Sequence, residues 1–248
     1  DPSVAERIAA SILTDHPEAC ILEIGPGTGA LTRPLIQRFG SQVLALDVDG
    51  ESVQFLQQQD WLPEGSVQHG DFLRIPLSDL EILGPLVVAG NFPYNISSQI
   101  LFKFLDWKDC STELVGMFQK EVADRIIANF NTSNYGRLSI ICNWKLNIKK
   151  ICDIKPNAFS PKPKIDSSLL FFYPKEKFIK IKDPKNLETI TRIFFNQRRK
   201  MLKKPFNQLF NGDHRVLDKL KIKLTMRPQN VNLETYYKLA CEYENLRG

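Results

Sequence analysis

Short β-like runs alternate with helix-compatible stretches along much of this chain, and this alternation constrains the fold most. The β-like runs lie at residues 20–24, 42–46, 67–69 and 86–90. The helix-compatible stretches lie at residues 4–13, 52–58 and 97–105. Runs of this length that alternate with helical patterns predict a largely parallel sheet flanked by helices, which is an α/β fold.

The composition changes in the last third of the chain. Residues 138–144 and 169–173 are interpreted as later strands, whereas Lys-rich, helix-like segments follow Lys175. Those segments are predicted at residues 187–203, 215–220 and 233–243. The chain has 248 residues and is 43% hydrophobic, which is enough for one large core and a second small one. We therefore predict an α/β domain over residues 1–176 and a small helical domain over residues 177–248.

The first β-like run leads into a glycine-rich loop, Gly25-Pro26-Gly27-Thr28-Gly29. Glycines let the backbone approach a ligand closely, but this spacing is neither the dinucleotide G-x-G-x-x-G pattern nor a phosphate-binding P-loop. Glu23, an acid within the apolar run before the loop, indicates a ligand that carries positive charge or amine donors. Alternatively, its carboxylate binds nearby loop amides.

Acids also follow the next two β-like runs. Asp47 ends the second run, about 20 residues past the glycine loop, where Rossmann-like folds place an acid that binds ribose hydroxyls. Asp71 follows the third run and is interpreted either as an acceptor for an adenine amine or as a plain turn residue. Asp49 is interpreted as a helix N-cap or a solvated loop acid.

Asn91-Phe92-Pro93-Tyr94 comes directly after the fourth run. An exocyclic amine on an aromatic base is a poor nucleophile, because its lone pair is delocalised, until acceptors draw it toward tetrahedral geometry. The Asn91 side-chain oxygen and the Phe92 carbonyl are two such acceptors, and Pro93 restricts the backbone that aims them. Tyr94 can stack on the base. Alone, however, the four residues could equally be a polar turn that closes a buried strand.

This segment suits methylation of such an amine. Attack on a sulfonium methyl leaves a cationic amine whose proton is acidic, so positioning and dipoles suffice without a strong base. The glycine loop, the ribose acid, the loop aspartate and Asn91-Phe92-Pro93-Tyr94 occur in that order, each after a β-like run. Together they resemble a class I S-adenosylmethionine (SAM) methyltransferase that acts on an amino nitrogen.

Four longer blocks sharpen the resemblance. They are Asn91-Phe92-Pro93-Tyr94-Asn95-Ile96-Ser97-Ser98, Phe118-Gln119-Lys120-Glu121-Val122-Ala123-Asp124-Arg125, Phe159-Ser160-Pro161-Lys162-Pro163-Lys164-Ile165-Asp166-Ser167-Ser168 and Phe195-Asn196-Gln197-Arg198-Arg199-Lys200. Over nearly the whole chain, the sequence resembles the KsgA family of ribosomal RNA small-subunit adenine dimethyltransferases. The resemblance implies a Rossmann-like class I fold with a small C-terminal helical domain, and SAM as the cofactor. It also implies dimethylation of two adjacent adenosines near the 3′ end of small-subunit rRNA, in an assembling 30S-type particle.

The same resemblance assigns individual residues. The SAM site would be lined by Glu23, Gly25, Gly27, Asp47, Asp71 and Asn91. The target amine and base would be held by Asn91, the Phe92 carbonyl and Tyr94, with Phe159 as the second stacking face. Family members usually begin with a segment containing Gln-Asn-Phe-Leu that packs over the cofactor. This sequence starts just beyond the corresponding position, and we expect SAM affinity to depend on that segment.

Two basic features are candidates for RNA contacts. Lys162 and Lys164 follow Phe159 and combine phosphate-seeking charges with an aromatic face, although a Pro-stiffened exposed loop would have the same pattern. Arg198, Arg199, Lys200, Lys203 and Lys204 form a cluster on a predicted helix. That cluster could bind rRNA phosphates, or it could be an ordinary solvated helix face. The net charge of +5 favours a polyanionic partner without requiring one.

The remaining composition argues against several other classes. The five cysteines lack metal-ligand or disulfide spacing, and the three histidines, His16, His69 and His214, are isolated. No apolar run approaches the ~20 residues of a membrane span, and no signal-like segment opens the chain. We predict a monomeric cytoplasmic enzyme without metal. The alternatives are a ribosome-assembly or transcription factor with this fold, or an adenine methyltransferase of large-subunit rRNA.

Overall fold

The computed structural model describes residues 2–80, 82, 84–107, 111–159 and 162–247. The strands in these ranges are β1 (Cys20–Ile24), β2 (Val43–Asp47), β3 (Val67–His69), β4 (Leu86–Gly90), β5 (Ser111–Gln119), β6 (Leu146–Ile154) and β7 (Ser167–Pro174). The α-helices are α1 (Pro2–Ser11), α2 (Thr32–Phe39), α3 (Gly50–Gln57), α4 (Ser97–Asp106), α5 (Lys120–Ile126), α6 (Arg137–Lys145), α7 (Pro184–Phe195), α8 (Lys203–Phe210), α9 (His214–Leu220) and α10 (Leu233–Asn245).

The strands form one sheet in the order β3-β2-β1-β4-β5-β7-β6. The first five strands of this order pair in parallel, and β7 pairs with β5 in the antiparallel direction. The four β-like runs predicted from the sequence coincide with β1 to β4 to within one residue. The prediction of a largely parallel sheet flanked by helices is therefore confirmed.

The centre of the sheet is apolar on both faces. All five residues of β4 are buried, as are the last four residues of β1. Helices cover both faces of a parallel sheet, so its central strands have continuous apolar runs rather than alternating ones. This explains why β1 and β4 could be located from the sequence without any periodicity.

Helix α1 is held against the sheet by polar contacts near its end. The Glu113 carboxylate on β5 accepts a hydrogen bond from the Leu13 amide at 2.7 Å. The Arg38 guanidinium on α2 donates to the Ala9 carbonyl. Burial raises the pKa of the Glu113 carboxyl. These contacts fix the helix whose residues Val4, Ala5 and Ile8 line the cavity described below.

The chain folds into two compact units. The first comprises Asp1–Ala123 and Asn147–Pro174, and the second comprises Asp124–Leu146 and Lys175–Gly248. The predicted boundary after residue 176 differs from this division, because residues 124–146 pack in the second unit. There, Tyr135, Ile140 and Trp144 share a buried core with residues of the last four helices. The functional assignment of the two domains stays a prediction.

The predicted strand at residues 138–144 is wrong, because these residues form most of α6. Ser139 stabilises the start of that helix by accepting a hydrogen bond from the Gly136 amide at 3.1 Å and donating to the Arg125 carbonyl at 2.6 Å. The helix is buried on most sides, so its apolar run has no amphipathic period that would distinguish it from a strand. Within the described ranges, no helix has the length and apolar character needed to cross a membrane.

Candidate active site

Four polar residues selected from the sequence follow neighbouring strands at one edge of the sheet. Asp71 comes after β3, Asp47 ends β2, Glu23 lies near the end of β1, and Asn91 follows β4. These four strands are adjacent and parallel, so their carboxyl ends meet at the same edge. Ligands of open α/β sheets bind in the crevice outside that edge. The fold therefore collects the four side chains where a cofactor and its acceptor could meet.

The glycine loop after β1 has a backbone that side chains would strain. Gly25 and Gly27 have φ values of 69° and 54°, in the left-handed region that favours glycine. The Gly25 amide donates to the Leu46 carbonyl at 3.0 Å, which ties the loop to β2. A methyl group added at Gly25 would lie 3.9 Å from Cδ of Pro93. The glycine loop and the Asn91-Phe92-Pro93-Tyr94 loop are thus direct neighbours.

Asp47 already has two protein partners. One carboxylate oxygen accepts from the Gly27 amide at 3.1 Å, and the other accepts from the Asp49 amide at 3.0 Å. Each carboxylate oxygen has a second lone pair, so both remain able to accept a hydroxyl proton. The two amides fix the side chain in one orientation. Asp47 as the ribose ligand stays a prediction, with a preorganised carboxylate in its favour.

Glu23 behaves differently, because one of its carboxylate oxygens, Oε2, is buried without any hydrogen-bond partner among the described residues. Its side chain is fully buried in β1, and burial raises its pKa from 4.5 to about 8; the Thr32 hydroxyl opposes this shift and the neighbouring Asp47 charge adds to it. An unpaired buried carboxylate is costly. The carboxylate that accepts from an amide of the glycine loop is that of Asp47, through Gly27, and not that of Glu23. A cationic or amine-bearing ligand would compensate Glu23.

Two further acids cap local structure. Asp49 is the N-cap of α3 and accepts from the Glu51 and Ser52 amides and from the Ser52 hydroxyl, as interpreted from the sequence. Asp71 accepts from the Leu73 amide at 2.9 Å and pairs with Arg74 at 3.3 Å. Its turn role is therefore present, and its side chain is still 40% exposed. Asp71 as an adenine acceptor stays a prediction.

The carboxylates at this edge of the sheet fit the charged and hydroxyl groups of SAM. The sulfonium and amino groups of the cofactor carry positive charge, which the unpartnered Glu23 oxygen could balance, and its ribose hydroxyls suit the fixed Asp47 carboxylate. Sequence reasoning did not select Val48, an apolar side chain that is 69% exposed directly after Asp47 and that we propose as part of the cofactor surface. Nε2 of His69 lies 3.1 Å from the Val48 carbonyl oxygen, and this contact restrains the backbone at Val48. An exposed apolar residue between two acids was the available signal for a surface that could cover an adenine ring.

We expect the affinity for SAM to increase with pH up to about 8, where the folded-state pKa of Glu23 lies. A cationic ligand lowers a raised carboxyl pKa, so binding releases a proton at pH values just below about 8. Titration calorimetry in two buffers with different ionisation enthalpies would measure that proton. Glu23→Gln is the matched control, because it removes the ionisation of the protein and leaves that of SAM. Equal proton release by both proteins would contradict the assignment.

The Asn91-Phe92-Pro93-Tyr94 loop is anchored by one buried side chain. The Phe92 ring is 1% exposed and packs edge-on against Phe118 at a centroid distance of 5.6 Å. It occupies a slot between Gly90 and Gly116, where an added methyl group would lie 2.7 Å and 2.1 Å from ring atoms of Phe92. The buried ring therefore fixes the backbone whose carbonyl was predicted to accept the target amine.

The Asn91 side chain of this loop borders an open cavity. Asn91 is exposed, and its side-chain amide has no hydrogen-bond partner among the residues that the structure describes. A cavity of about 490 Å³ brings Asn91, Phe92, Pro93 and Tyr94 together with Phe159. Its apolar wall also includes Met117, Pro163 and residues of α1. The structure thus places the predicted amine acceptor and both predicted stacking rings around one space of suitable size for a base.

The basic candidates lie in different surroundings. Lys162 and Lys164 are exposed beside Pro163, which lines the cavity; Ser160 and Pro161 of the same block lie outside the described residues. Arg199 and Lys200 are exposed, whereas Arg198 donates to the Gln229 side chain at 3.3 Å and to the Thr132 carbonyl at 3.1 Å.

The helix predicted through residues 187–203 ends earlier, because α7 stops at Phe195 and α8 begins at Lys203. Arg198, Arg199 and Lys200 therefore lie in the turn between two helices. The Leu202 amide, which donates to the Met226 carbonyl at 2.8 Å, holds this turn through a contact that is distant in sequence. The turn borders a cavity of about 700 Å³ within the second unit.

The sheet order, the glycine loop beside a buried acid, and the Asn91-Phe92-Pro93-Tyr94 loop after β4 are those of a SAM-dependent methyltransferase of class I. The ribosomal RNA adenine dimethylase family matches residues 1–245 of the chain. The chain belongs to that family.

Individual relatives agree with this membership. Ribosomal RNA small subunit methyltransferase A of Pelagibacter ubique (strain HTCC1062) is 51% identical over 254 residues, which cover 100% of this chain and 94% of the relative. The crystal structure of a dimethyladenosine transferase from Plasmodium falciparum has a TM-score of 0.78 and 26% identity, with 99% of this chain and 96% of that chain covered. The 23S rRNA methyltransferase ErmE shares the fold, with a TM-score of 0.69 and 21% identity over 98% of each chain.

Proposed function

We propose that this protein is a SAM-dependent dimethyltransferase that modifies the exocyclic amine of adenosine in small-subunit rRNA. The observation that carries the proposal is the Asn91 side chain, which has no partner among the described residues and borders one cavity with Tyr94 and Phe159. An amide that is left unpaired between two aromatic rings suits a flat base with an amine at its edge. The relative of 51% identity has the corresponding activity in its name, small subunit methyltransferase.

The chain's own residues would act by positioning. The Asn91 oxygen and the Phe92 carbonyl accept the two amine protons and draw the nitrogen out of conjugation with the ring. The buried Phe92 ring keeps the second acceptor in place. Glu23 and Asp47 would hold SAM, which would supply an electrophilic methyl group: the new C–N bond would form as the sulfonium C–S bond breaks, and the cofactor would leave as a neutral thioether. After transfer the amine is cationic and releases a proton to solvent, so no strong general base is required.

The base must leave its stack before it can enter this cavity. A paired or stacked adenine cannot present its amine to a methyl donor, and enzymes that modify bases therefore flip the target or take it from a loop. Stacking on an aromatic side chain contributes ~1 to 3 kcal/mol per base. Tyr94 and Phe159 would offset the cost of unstacking in this way.

The second methyl transfer has fewer polar contacts than the first. A monomethylated amine has only one proton to donate, so either Asn91 or the Phe92 carbonyl loses its partner. The apolar cavity wall, which includes Met117 and Pro163, can accommodate the first methyl group. In the second transfer, the orientation of the base would therefore depend more on stacking and apolar contact than on hydrogen bonds.

Exposed cations would hold the RNA backbone. Lys162 and Lys164 lie beside the cavity, and Arg199 and Lys200 lie on the turn between α7 and α8. Contacts of this kind with phosphate weaken as salt rises, because binding releases counterions. Arg198 is proposed to orient the turn, through Gln229 and Thr132, as well as to contribute charge.

The finer features of the proposal come from the family resemblance. The target would be two adjacent adenosines near the 3′ end of the rRNA, presented in an assembling 30S-type particle in the cytoplasm. The enzyme would act as a monomer.

Transfer of labelled methyl groups from SAM to isolated ribosomal subunits tests the proposal. We expect transfer to immature small subunits, with dimethyladenosine in the digested rRNA, and no transfer to large subunits or to small subunits that are already methylated. Primer extension would identify the modified positions. Labelling of large subunits instead would redirect the substrate assignment. Intact SAM binding without transfer to any subunit would indicate a binding role and end the enzymatic proposal for this substrate.

A further inference from the structure

The polar end of Tyr94 is held by a neighbouring strand. Its hydroxyl lies 2.6 Å from the Ser167 hydroxyl. Ser167 is the first residue of β7, is fully buried, and stands opposite Gln119 of β5 in the sheet. A buried hydroxyl needs a partner, and each of these two hydroxyls is the partner of the other. The bond thus joins the loop after β4 to a strand 73 residues further along the chain.

Tyr94 is also fixed at its backbone. Its carbonyl accepts from the Ser97 hydroxyl at 3.2 Å, and the carbonyl of the preceding Pro93 accepts from the Ile96 amide at 3.0 Å. The ring is therefore restrained at both ends, by its main chain and by its hydroxyl. A stacking surface that cannot rotate loses little entropy when a base binds to it.

We propose that Ser167 is a positioning residue that fixes the Tyr94 ring as a stacking face, and that this restraint matters most in the second methyl transfer. The inference rests on the proposed function. In the first transfer the amine donates two hydrogen bonds, which hold the base in register even if the ring moves. In the second transfer one of these hydrogen bonds is lost, so the orientation of the base depends more on the ring.

The contact also assigns a role to the phenol. A hydroxyl whose partner is a buried serine is placed for orientation, and it is not needed to remove a proton from the amine. We therefore expect Tyr94→Phe to leave the pH dependence of the first transfer unchanged. A shifted pH profile in this variant would contradict the positioning role.

The test compares Ser167→Ala, Tyr94→Phe and the double variant in single-turnover assays with immature small subunits. The measured quantities are the rates at which N6-methyladenosine forms and is converted to dimethyladenosine. Loss of one hydrogen bond between neutral groups is expected to slow the second transfer about fivefold and the first much less. Monomethyladenosine should therefore accumulate. The double variant should match the single variants, since all three remove the same bond.

Ser168→Ala is the matched control. Ser168 is the adjacent residue on β7, is equally buried, and gives its hydroxyl to Asp153 at 2.6 Å rather than to Tyr94. Its loss removes a hydrogen bond to a carboxylate, which is stronger than a bond between two hydroxyls, and should still leave the ratio of monomethyl to dimethyl product unchanged. Thermal melting of all variants separates folding from positioning, and Tyr94→Phe removes the bond without altering the strand.

Failure of the proposed function and failure of the proposed role of Ser167 would give different results. No methyl transfer by the parent protein would overturn the proposed function. Dimethylation by the parent protein, with additive losses or an unchanged product ratio in the variants, would overturn the role of Ser167 alone.

Discussion

Replacing Asn91 by alanine is expected to lower the rate of methyl transfer by about 10²- to 10³-fold, the effect typical of removing one preorganised polar group from a reacting centre. The side chain has no partner among the described residues, so little of its loss would be felt by the fold. The amine would keep one acceptor, the Phe92 carbonyl, and would remain largely conjugated. Single-turnover transfer at saturating SAM measures this effect on chemistry, apart from any change in cofactor affinity.

Asn95→Ala is the control for that substitution. Asn95 is the same residue type, is exposed in the same segment, and is absent from the lining of the cavity. It should retain the activity of the parent protein. SAM affinity of both variants, measured by calorimetry, shows whether Asn91 also holds the cofactor. An Asn91→Ala protein that transfers methyl groups at the parent rate would remove the amine-acceptor mechanism.

Gly116→Ala is expected to lower activity about 100-fold, as a displacement of roughly 1 Å near a reacting group can do. The new methyl group would lie 2.1 Å from Cε2 of Phe92, and the other nearest ring atoms are 2.8 Å away. Since β5 is held on both sides by β4 and β7, the ring must move instead of the strand. That movement shifts the Phe92 carbonyl. Overpacking of this kind also destabilises a core by about 1 to 3 kcal/mol.

A second substitution should reverse this loss. Phe92→Leu removes Cε2 and Cζ, two of the three ring atoms that the alanine methyl would meet and including the nearest, so the Phe92→Leu/Gly116→Ala protein should recover much of the activity lost in Gly116→Ala. Gly50→Ala is a suitable control, because its nearest neighbour would be 4.0 Å away and its backbone is unstrained. Methyl transfer and thermal melting are measured for each protein. If the double variant were no more active than Gly116→Ala, the slot would not be what positions the loop.

The parts of the fold that the sequence predicted are those with local signals. β1 and β3 each end before a glycine, β4 begins after a proline, and α3 begins at the predicted Asp49 cap. The predicted site residues around the sheet edge share the same origin, because each follows a strand that is recognisable by itself. Because the carboxyl ends of parallel strands meet at one edge of the sheet, recognising the strands is enough to predict that these residues lie close together.

The errors arose where distant contacts decide the structure. α6 is buried on most sides, so its sequence has no period, and its helical state is fixed by packing among Tyr135, Ile140 and Trp144. The turn at Arg198 ends a helix that the local pattern would continue, because Leu202 bonds to Met226. The slot between Gly90 and Gly116 that Phe92 occupies requires the pairing of β4 with β5, which no sequence motif indicates.

The reversal of β7 has a consequence for how this enzyme can change. An antiparallel strand begins where its parallel neighbours end, so residues 162–166, which precede β7, lie at the same edge that β1 to β5 leave. The proposed cofactor ligands then lie toward the β3 side of this edge, and the proposed substrate contacts lie toward the β7 side. Insertions before β7 could thus alter which RNA is accepted while the methyl-donor half stays intact. Related enzymes with other targets could diverge along one border of a common sheet.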